Sequence, residues 1–346
     1  MSKLGLHIVI SAKSYLPVLG GSVVYASMLA EAFARQGCKV TVITRTLGPP
    51  ISGEYLLMRQ PSLGAKLNLA AETDILMQIE SSWSDAWPFL FRKIPWICTI
   101  HRGTMPIKGI SIGARIRLIL ERLAYRCAYT IGVSHYVSKV WRLDSGAIPN
   151  PYDDRVFFPP PQEETRDVDV LFVGRMTKDK GVLVLIDALK QLLQEGQRIR
   201  RVAFIGHGPL EPDLRICMAD FHGEIETIFP GRLEPEKVAD WMRRSRILAF
   251  PTTPEWEEAS PLTPLEAAAC GCLVVAANSG GTIENVSPDH WVVQSGSATN
   301  LASGISQALA RPVGPITART AALLAERQVD KVATVYLERF QSLAKN

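Results

Sequence analysis

The sequence of 346 residues predicts an α/β protein with two doubly wound domains, each built on a parallel sheet. Short apolar runs, typical of buried parallel strands, alternate with amphipathic runs typical of crossover helices along the whole chain. The length exceeds what one core normally holds, and the stretch FFPPPQEET at residues 157–165 combines prolines with charge near the middle. We therefore predict one domain over residues 1–160, a second over residues 161–329, and a ligand-binding cleft between them.

The predicted elements follow this alternation in order. The strands of the first half are LHIVISA, KVTVITR, DILMQIE, IPWICTIH and YTIGVS, with helices over about residues 21–36 and 111–126. The strands of the second half are VDVLFVGR, VAFIGHG, residues 227–229, ILAFP and CLVVAAN. The stretch between Leu47 and Thr73 is predicted to be short and irregular. Residues 330–346 predict an amphipathic C-terminal helix, which we expect to pack back on the first domain.

Composition restricts the class of the protein and its location. Residues 1–160 carry 18 basic and 10 acidic side chains, a net charge of +8, whereas residues 161–346 carry a net charge of −4. The basic half fits either ordinary solvated charge or an anionic partner such as a membrane surface, and we expect no nucleic-acid partner. The sequence has no run of about 18 apolar residues, so we predict no membrane-spanning helix. Its six cysteines have no CxxC spacing, which fits a reducing compartment. The sequence therefore predicts a cytoplasmic protein, with peripheral membrane contact as the alternative.

One predicted helix bears on that alternative. In the run 111–126, arginines fall on one helical face and apolar side chains on another. One interpretation packs the apolar face on the sheet and leaves the arginines in water. The other brings the basic face to anionic lipid or to a charged acceptor. The basic face holds Arg115, Arg122 and Arg126, and the apolar face holds Ile112, Ile116, Leu123 and Cys127.

Two glutamates, Glu258 and Glu266, are the most informative feature of the chain. They follow the strand ILAFP at residues 247–251, so that Glu258 falls on a loop at the carboxyl end of a parallel strand, where ligands bind in open α/β sheets. Glu266 begins an alanine-rich helical run whose amino-terminal end suits a phosphate. The pair is interpreted either as a solvated acidic loop or as carboxylates that bind sugar hydroxyls.

A second group of candidate site residues lies near the start of the second domain. In LFVGRMTKDKG a strand ends in a glycine and brings Arg175 and Lys180 to the start of a helix. Two cations there would bind a diphosphate, and the alternative is a pair of ordinary surface residues. The next strand ends at Gly206 and Gly208, but Glu211 replaces the third glycine of the dinucleotide-binding pattern GxGxxG, so that pattern is not met.

The first domain adds three candidates. Gly20 and Gly21 stand between a strand and a helix, where a backbone can approach a phosphate or a sugar closely, although an ordinary turn explains them equally well. His101 closes a strand, so its ring should emerge at the carboxyl edge of the sheet and face the cleft. A structural role is the alternative for this histidine.

Two further patterns are interpreted as structural, and no metal site is predicted. Asp167 and Asp169 form a DxD pattern, but they precede a strand, which puts them at the wrong edge of the sheet. Cys270 and Cys272 flank a turn and have no matching partners elsewhere.

In this order and spacing, the motifs resemble the retaining glycosyltransferases of family 4 (glycosyl transferases group 1). These enzymes have the GT-B fold, in which two Rossmann-like domains face each other across a cleft. The resemblance covers nearly the whole chain and is carried by GG at residues 20–21, TIH, GVS, IPNPYDDRVFFP, the cation pair, GHG, FPGRL, the glutamate pair and SGGTIENV. Each motif is loose alone, and their combination is specific.

The resemblance implies a nucleoside diphosphate sugar of UDP or GDP type as donor, with no cofactor and no metal. Arg175 and Lys180 would bind the diphosphate, Glu266 the ribose, and Glu258 and His101 the donor sugar. The implied catalytic residues are thus His101, Arg175, Lys180 and Glu258. The implied donor-binding residues are Gly20, Gly21, Gly206, Gly208, Arg232, Leu233, Ala259, Ser260, Pro261, Leu262 and Glu266.

The implied function is transfer of a hexose-type sugar with retention to a glycolipid, cell-envelope polysaccharide or natural-product acceptor. The family's usual explanation is front-face attack without a protein nucleophile. A sugar-nucleotide epimerase or a phosphorylase with the same fold is the alternative. Transfer needs an acceptor, and a phosphorylase needs inorganic phosphate. The residues after Glu258 depart from the glycine and aromatic that many members have, so the sugar is left open.

Overall fold

The computed structural model describes residues 5–18, 20–51, 53–103, 112–160, 166–221, 223–312 and 314–344. The chain divides into two compact units, one formed by Met1–Pro151 with Arg327–Asn346 and the other by Tyr152–Glu326. Each unit contains a six-stranded sheet, and all the strand pairs in both are parallel. The predicted α/β class with two doubly wound sheets is confirmed.

The sheet of the first unit has the strand order β3-β2-β1-β4-β5-β6. Its central strand β1 is buried along its whole length, which explains its continuous apolar run. The strands are β1 (His7–Ala12), β2 (Lys39–Thr44), β3 (Leu56–Arg59), β4 (Ile75–Ile79), β5 (Trp96–Ile100) and β6 (Tyr129–Gly132). The helices are α1 (Gly21–Arg35), α2 (Leu63–Glu72), α3 (Trp83–Leu90), α4 (Ile112–Cys127) and α5 (His135–Trp141).

The prediction that the stretch between Leu47 and Thr73 is irregular was wrong, because this stretch contains β3 and α2. The edge strand β3 has no fully buried residue. Helix α2 begins with a side-chain cap, in which the Ser62 hydroxyl accepts a hydrogen bond from the Ala65 amide at 3.2 Å, and Ala70 is its buried residue. Both elements bury little apolar surface, so the sequence carries almost no periodic signal for them.

Helix α4 does not pack through the apolar face that the sequence suggested. Ile116 and Leu123 are 55% and 45% exposed, and Cys127 is exposed as well. Among the α4 side chains that the structure describes, the buried ones are instead Glu121, Ala124 and Tyr125, and Arg102 pairs with the Glu121 carboxylate at 3.3 Å. Amphipathicity identifies an apolar stripe but does not tell which stripe meets the sheet. The side chains of Ile112 and Arg115 lie outside the described residues.

The second unit repeats the topology with the strand order β12-β11-β10-β7-β8-β9. Side chains of β10 alternate between two cores, with Ile247 and Ala249 in one and Leu248 and Phe250 in the other, so both faces of the sheet are covered. The strands are β7 (Val168–Val173), β8 (Arg201–Ile205), β9 (Glu226–Gly231), β10 (Ser245–Phe250), β11 (Leu273–Ala277) and β12 (Trp291–Val293). The helices are α6 (Val182–Gln194), α7 (Glu211–Ala219), α8 (Pro235–Arg244), α9 (Thr263–Ala269), α10 (Ala298–Ala310) and α11 (Ala318–Arg327).

The division between the units precedes the proline-rich stretch. Tyr152 and Phe157 are both buried in a core of the second unit, so the chain has joined that unit before the prolines begin. Residues 161–165 of this stretch lie outside the described residues. Among the described helices of both units, none has the length and apolarity needed to cross a bilayer.

The last helix, α12 (Val329–Ala344), returns to the first unit and packs against α1. The buried hydroxyl of Tyr25 donates a hydrogen bond to that of Tyr336 at 2.6 Å, and the rings of Phe33 and Phe340 lie 5.6 Å apart. The tyrosine rings are fully buried, so their polar ends have a partner as buried hydroxyls require.

Tyr336→Ala should destabilise the protein by about 3–5 kcal/mol, because it removes a fully buried ring. Tyr336→Phe keeps the ring and removes the hydroxyl that accepts from Tyr25, so it should cost less, about 1–3 kcal/mol. The control is Val335→Ala in the same helix, at a side chain that is 38% exposed. Urea unfolding followed by tryptophan fluorescence measures all three, and equal losses for Tyr336→Ala and Val335→Ala would contradict the packing of α12.

Candidate active site

The candidate site of the second unit begins at the point where its strand order reverses. β7 and β10 are neighbours, yet the chain proceeds from β7 to β8 and β9 on one side and from β10 to β11 and β12 on the other. In doubly wound sheets, ligands bind at the carboxyl ends of the strands that flank such a switch point. The loop after β7 carries Arg175 and Lys180, and the loop after β10 carries Glu258.

Lys180 and Glu258 form an ion pair that joins these two loops. The Lys180 ammonium lies 2.5 Å from the Glu258 carboxylate, and the Thr252 hydroxyl donates to the same carboxylate oxygen at 3.2 Å. The two side chains are 18% and 10% exposed, and the ammonium lies 5.7 Å from the centre of the Trp256 ring. The structure thus brings together two predicted site residues that the sequence keeps far apart.

Arg175 stands in the same loop in a different environment. Its guanidinium pairs with the Asp179 carboxylate at 3.3 Å, and its side chain is 59% exposed. The Asp179 carbonyl in turn accepts a hydrogen bond from the Thr253 amide at 3.0 Å, which fastens the loop after β7 to the loop after β10. Arg175 therefore faces solvent, whereas Lys180 is held by its carboxylate partner.

A short 3-10 helix, Gly280–Asn285, supports the loop of Glu258. The Gly281 amide donates to the Glu258 carbonyl at 2.7 Å, and the Asn285 side chain donates to the Ser260 hydroxyl at 3.0 Å and the Pro261 carbonyl at 2.8 Å. Gly280 has φ +55, and a Cβ there would lie 2.2 Å from the Glu258 carbonyl oxygen. The sequence analysis gave this segment no role, although its SGG run was a signal of close backbone approach.

Glu266 lies in the first turn of α9, three residues after the helix begins, and is half-buried. Burial and the nearby carboxylate of Asp153 raise the pKa of Glu266 to about 7. Both ionised and neutral forms are therefore populated near neutral pH. The preceding Ala259 and Leu262 are half-buried, and the Leu262 carbonyl accepts the Glu266 amide at 3.0 Å.

The loop after β8 packs closely on the loop after β7. A Cβ on Gly206 would lie 1.9 Å from the Gly174 carbonyl oxygen, and one on Gly208 would lie 2.4 Å from the Met176 carbonyl oxygen. The Met176 amide also donates to the His207 carbonyl at 2.9 Å. Close backbone packing thus explains why glycine stands at both positions. Contact of these glycines with a donor stays a prediction.

Arg232 and Leu233 follow β9, two strands away from β7 in the sheet. Arg232 is exposed, and Leu233 is half-buried and packs against a core of the unit. Because all strands of this sheet are parallel, both residues lie at the same edge as the ion pair.

In the first unit, His101 directly follows β5. Its ring meets the Tyr25 ring edge-on at 4.5 Å between centroids, and its Nε2 lies 2.9 Å from the Thr99 hydroxyl. That hydroxyl also lies 3.4 Å from the Gln78 carbonyl, so Nε2 has a partner inside the unit. Burial lowers the pKa of His101 to about 3, so the ring is neutral at physiological pH.

Glu80, which the sequence analysis missed, holds the backbone of His101. It follows β4, the strand beside β5, and its carboxylate accepts the His101 amide at 3.0 Å and pairs with Arg102 at 2.9 Å. Burial raises the pKa of this carboxyl, and its backbone has φ +64, a conformation that residues other than glycine rarely adopt. The available signal was its position at the end of the run DILMQIE.

Gly20 and Gly21 begin α1, and a Cβ on either would meet no atom within 4 Å. Helix α1 has no side-chain hydrogen bond at its amino-terminal end. Exposed glycines there leave backbone amides accessible to an anion, as the prediction requires.

The two patterns interpreted as structural have structural partners. Arg201 and Arg244 both bond to the Asp167 carboxylate, and the Asp169 carboxylate accepts the Arg200 amide at 2.7 Å, all at the amino-terminal end of β7. Cys270 and Cys272 are buried free thiols beside the turn at residue 271. Among the described residues, no three histidine, cysteine or acidic side chains cluster as metal ligands do.

Curated relatives match part of the chain. This chain is 34% identical over 161 residues to the D-inositol 3-phosphate glycosyltransferase of Pseudarthrobacter chlorophenolicus. The match covers 43% of this chain and 37% of that protein. The chain is 28% identical over 144 residues to the putative colanic acid biosynthesis glycosyltransferase WcaL of Escherichia coli. This match covers 40% of the chain and 35% of that protein. The chain spans about a third of the length of these relatives.

Solved structures match the whole fold. HepE of Anabaena in complex with UDP has a TM-score of 0.77 at 17% identity and covers 97% of this chain and 100% of that chain. Sucrose-phosphate synthase from Thermosynechococcus elongatus has a TM-score of 0.76 at 20% identity and covers 98% and 99%. These likenesses establish the fold.

Two family models match one unit each. The model described as Glycosyltransferase Family 4 matches residues 19–154, and the model described as Glycosyl transferases group 1 matches residues 167–311. Since the fold agrees with both matches, the chain belongs to the family 4 glycosyltransferases (glycosyl transferases group 1) and adopts the GT-B fold.

Proposed function

We propose that the protein transfers a hexose-type sugar, with retention, from a nucleoside diphosphate sugar to a hydroxyl of a sugar, lipid-linked or small-molecule acceptor. The observation that carries this proposal is the ion pair of Lys180 and Glu258 at the switch point of the second unit. The relative WcaL is named for colanic acid biosynthesis, and HepE has been solved with UDP-glucose, which favours a UDP-sugar donor and a polysaccharide product.

The donor-binding roles follow from charge and exposure. Arg175 and Lys180 provide two cations for the diphosphate, one exposed and one held in place by Glu258. Glu258, with the backbone of residues 259–262, binds the donor sugar. Glu266 accepts hydrogen bonds from the ribose hydroxyls. The positive charges of Arg175 and Lys180 make a metal unnecessary for the diphosphate. Turnover in the presence of a chelator tests this point.

In the first unit, we assign His101 to the donor sugar and the amides of Gly20 and Gly21 to the diphosphate. A neutral imidazole whose Nε2 is paired with Thr99 leaves Nδ1 for a hydrogen bond with a sugar hydroxyl. It does not compete with Arg175 and Lys180 for the negative charge.

The reaction needs no covalent intermediate on the protein. The Glu258 carboxylate is paired with an ammonium and accepts a hydrogen bond from a hydroxyl, which makes it a poor nucleophile. In the proposed step, the bond from the anomeric carbon to the phosphate oxygen breaks, the acceptor oxygen attacks from the same face, and its proton passes to the departing diphosphate. The protein contributes positioning and stabilises the charge on the leaving group.

The direct test combines a donor screen with an acceptor requirement. Thermal shift with UDP, GDP, ADP and dTDP sugars identifies the donor, because a ligand at a hundred times its Kd stabilises by about 2.7 kcal/mol. Product analysis with that donor should give the retained anomer, and only when an acceptor is present. Epimerised donor without acceptor, or turnover that requires inorganic phosphate, would contradict a transferase.

Arg175→Ala and Lys180→Ala should each lower kcat by about 100-fold to 1,000-fold, the scale of a lost preorganised electrostatic donor. Lys178→Ala is the matched control, since Lys178 is exposed in the same short helix Lys178–Lys180. Its turnover should stay within about twofold, as expected for a cation without a role in the site. Near-normal turnover of both site variants would contradict the assignment of Arg175 and Lys180 to the diphosphate.

Affinity for the donor should depend on the ionisation of Glu266. With a pKa of about 7, this carboxyl gains its charge between pH 6 and pH 8, and only the ionised form accepts two hydrogen bonds from a ribose. Calorimetry with the intact nucleotide sugar, whose diphosphate does not titrate there, should therefore give about tenfold tighter binding at pH 8 than at pH 6.

Glu266→Gln should bind more weakly and lose this pH dependence. The matched control is Glu236→Gln, an exposed glutamate in the first turn of α8, which should behave like the wild type. Affinity that falls as pH rises, or equal affinity of Glu266→Gln and the wild type at pH 8, would overturn the ribose role.

A further inference from the structure

Trp256 presents an aromatic ring at the ligand-binding edge of the second unit. It lies in the loop after β10, two residues before Glu258, and it is 44% exposed. Contact of so large an apolar ring with water is unfavourable, and a ligand that covers the ring would recover that free energy. Aromatic side chains commonly line ligand sites, and this loop stands beside the switch point of the sheet. The ring is therefore a candidate contact for a substrate.

The backbone that carries this ring is held on several sides. The Trp256 amide donates to the Thr253 carbonyl at 3.2 Å, and the Trp256 carbonyl accepts a hydrogen bond from the Ser279 hydroxyl at 2.5 Å. Pro254 packs so closely on residue 296 that a Cβ on Gly296 would lie 2.9 Å from the Pro254 Cδ. Because the loop is already ordered, little conformational entropy is lost when a ligand packs on its ring.

The ring adjoins the ion pair of Lys180 and Glu258. The Lys180 ammonium lies 5.7 Å from the centre of the Trp256 ring and 2.5 Å from the Glu258 carboxylate. Thr252, four residues before Trp256, donates its hydroxyl proton to the same carboxylate. The ring, the ammonium and the carboxylate thus border one space.

The order of groups in a nucleoside diphosphate sugar indicates which group meets the ring. Base, ribose, diphosphate and sugar follow one another, so the sugar is attached at the end of the diphosphate that lies away from the ribose. In the proposed function, Lys180 binds the diphosphate, Glu258 binds the sugar, and Glu266 in α9 binds the ribose. Because Trp256 adjoins Lys180 and Glu258, it belongs to the sugar end of the donor.

We infer that the Trp256 ring packs on the donor sugar, against a face of the sugar that carries C–H groups, and helps to determine which sugar is transferred. Glu258 would bind the sugar hydroxyls while the ring covers an apolar face, so that the sugar is held on two sides. The inference rests on the proposed function, since it takes the donor to be a nucleoside diphosphate sugar.

Calorimetry on the full chain tests the inference by comparing a free nucleoside diphosphate with its sugar derivative. The probes are UDP and UDP-glucose, or the GDP, ADP or dTDP pair if the wild type binds that base instead. Trp256→Ala should weaken binding of the nucleotide sugar about threefold to tenfold, the scale of one aromatic contact, and leave the affinity for the free diphosphate unchanged. Trp256→Phe keeps an aromatic ring and should recover most of the loss.

Phe158→Ala is the matched control. Phe158 is also 44% exposed, and the Arg243 guanidinium lies 4.9 Å from its ring centre, so it too is a partly exposed ring beside a cation. Arg243 lies in the last turn of α8, just before β10 begins, which places Phe158 at the opposite edge of the sheet. This variant should bind both ligands like the wild type.

A fluorine label gives a second readout that does not depend on affinity. In protein labelled with 5-fluorotryptophan, the resonance of residue 256 is identified as the one missing from Trp256→Phe. It should shift more with the nucleotide sugar than with the free diphosphate, because only the former places a sugar on the ring.

Two results would overturn the inference. The first is equal weakening of both ligands by Trp256→Ala, which would mean that the ring acts through Lys180 or contacts the nucleotide. The second is unchanged affinity of Trp256→Ala for both ligands, which would leave the ring without a donor contact. Failure of the proposed function is told apart from these results, because the wild type itself would then bind none of the nucleotide sugars, and the inference would be rejected with it.

Discussion

The buried ion pair of Lys180 and Glu258 is the interaction on which the candidate site depends. A lone charge at this depth would lose part of its hydration without compensation, so each side chain is stabilised there by the other. The pair also fastens the loop after β7 to the loop after β10, and Thr252 completes the hydrogen bonding of the carboxylate. Charges that are ordered before a substrate binds need little rearrangement during reaction.

Close backbone packing keeps this pair in place. Gly280 and Gly281 lie against the carbonyl of Glu258, and Gly206 lies against Gly174, so the strand ends approach more closely than side chains would permit. Glycines that suggest ligand contact from sequence therefore also have a packing role. The two roles are compatible, because the packing that brings the loops together also creates the edge at which a ligand binds.

The first unit organises its candidate residue through a ring contact and hydrogen bonds. His101 is surrounded by Tyr25, Thr99 and Glu80, and burial keeps its ring uncharged. Tyr25 in turn bonds to Tyr336 of α12. The last helix of the chain thus supports the surroundings of His101, which gives a physical reason for its return to the first unit.

The sequence by itself determined the fold class, most of the strands and the edge at which Arg175, Lys180 and Glu258 lie, because buried parallel strands are continuous apolar runs with fixed polarity. It did not determine β3 and α2, which bury too little surface to leave a pattern. Only the tertiary structure decided that Lys180 pairs with Glu258, that residues 280–285 support the glutamate loop, and that α4 exposes its apolar stripe. Each of these depends on contacts between segments distant in the chain, and periodicity within one segment carries no information about its partner.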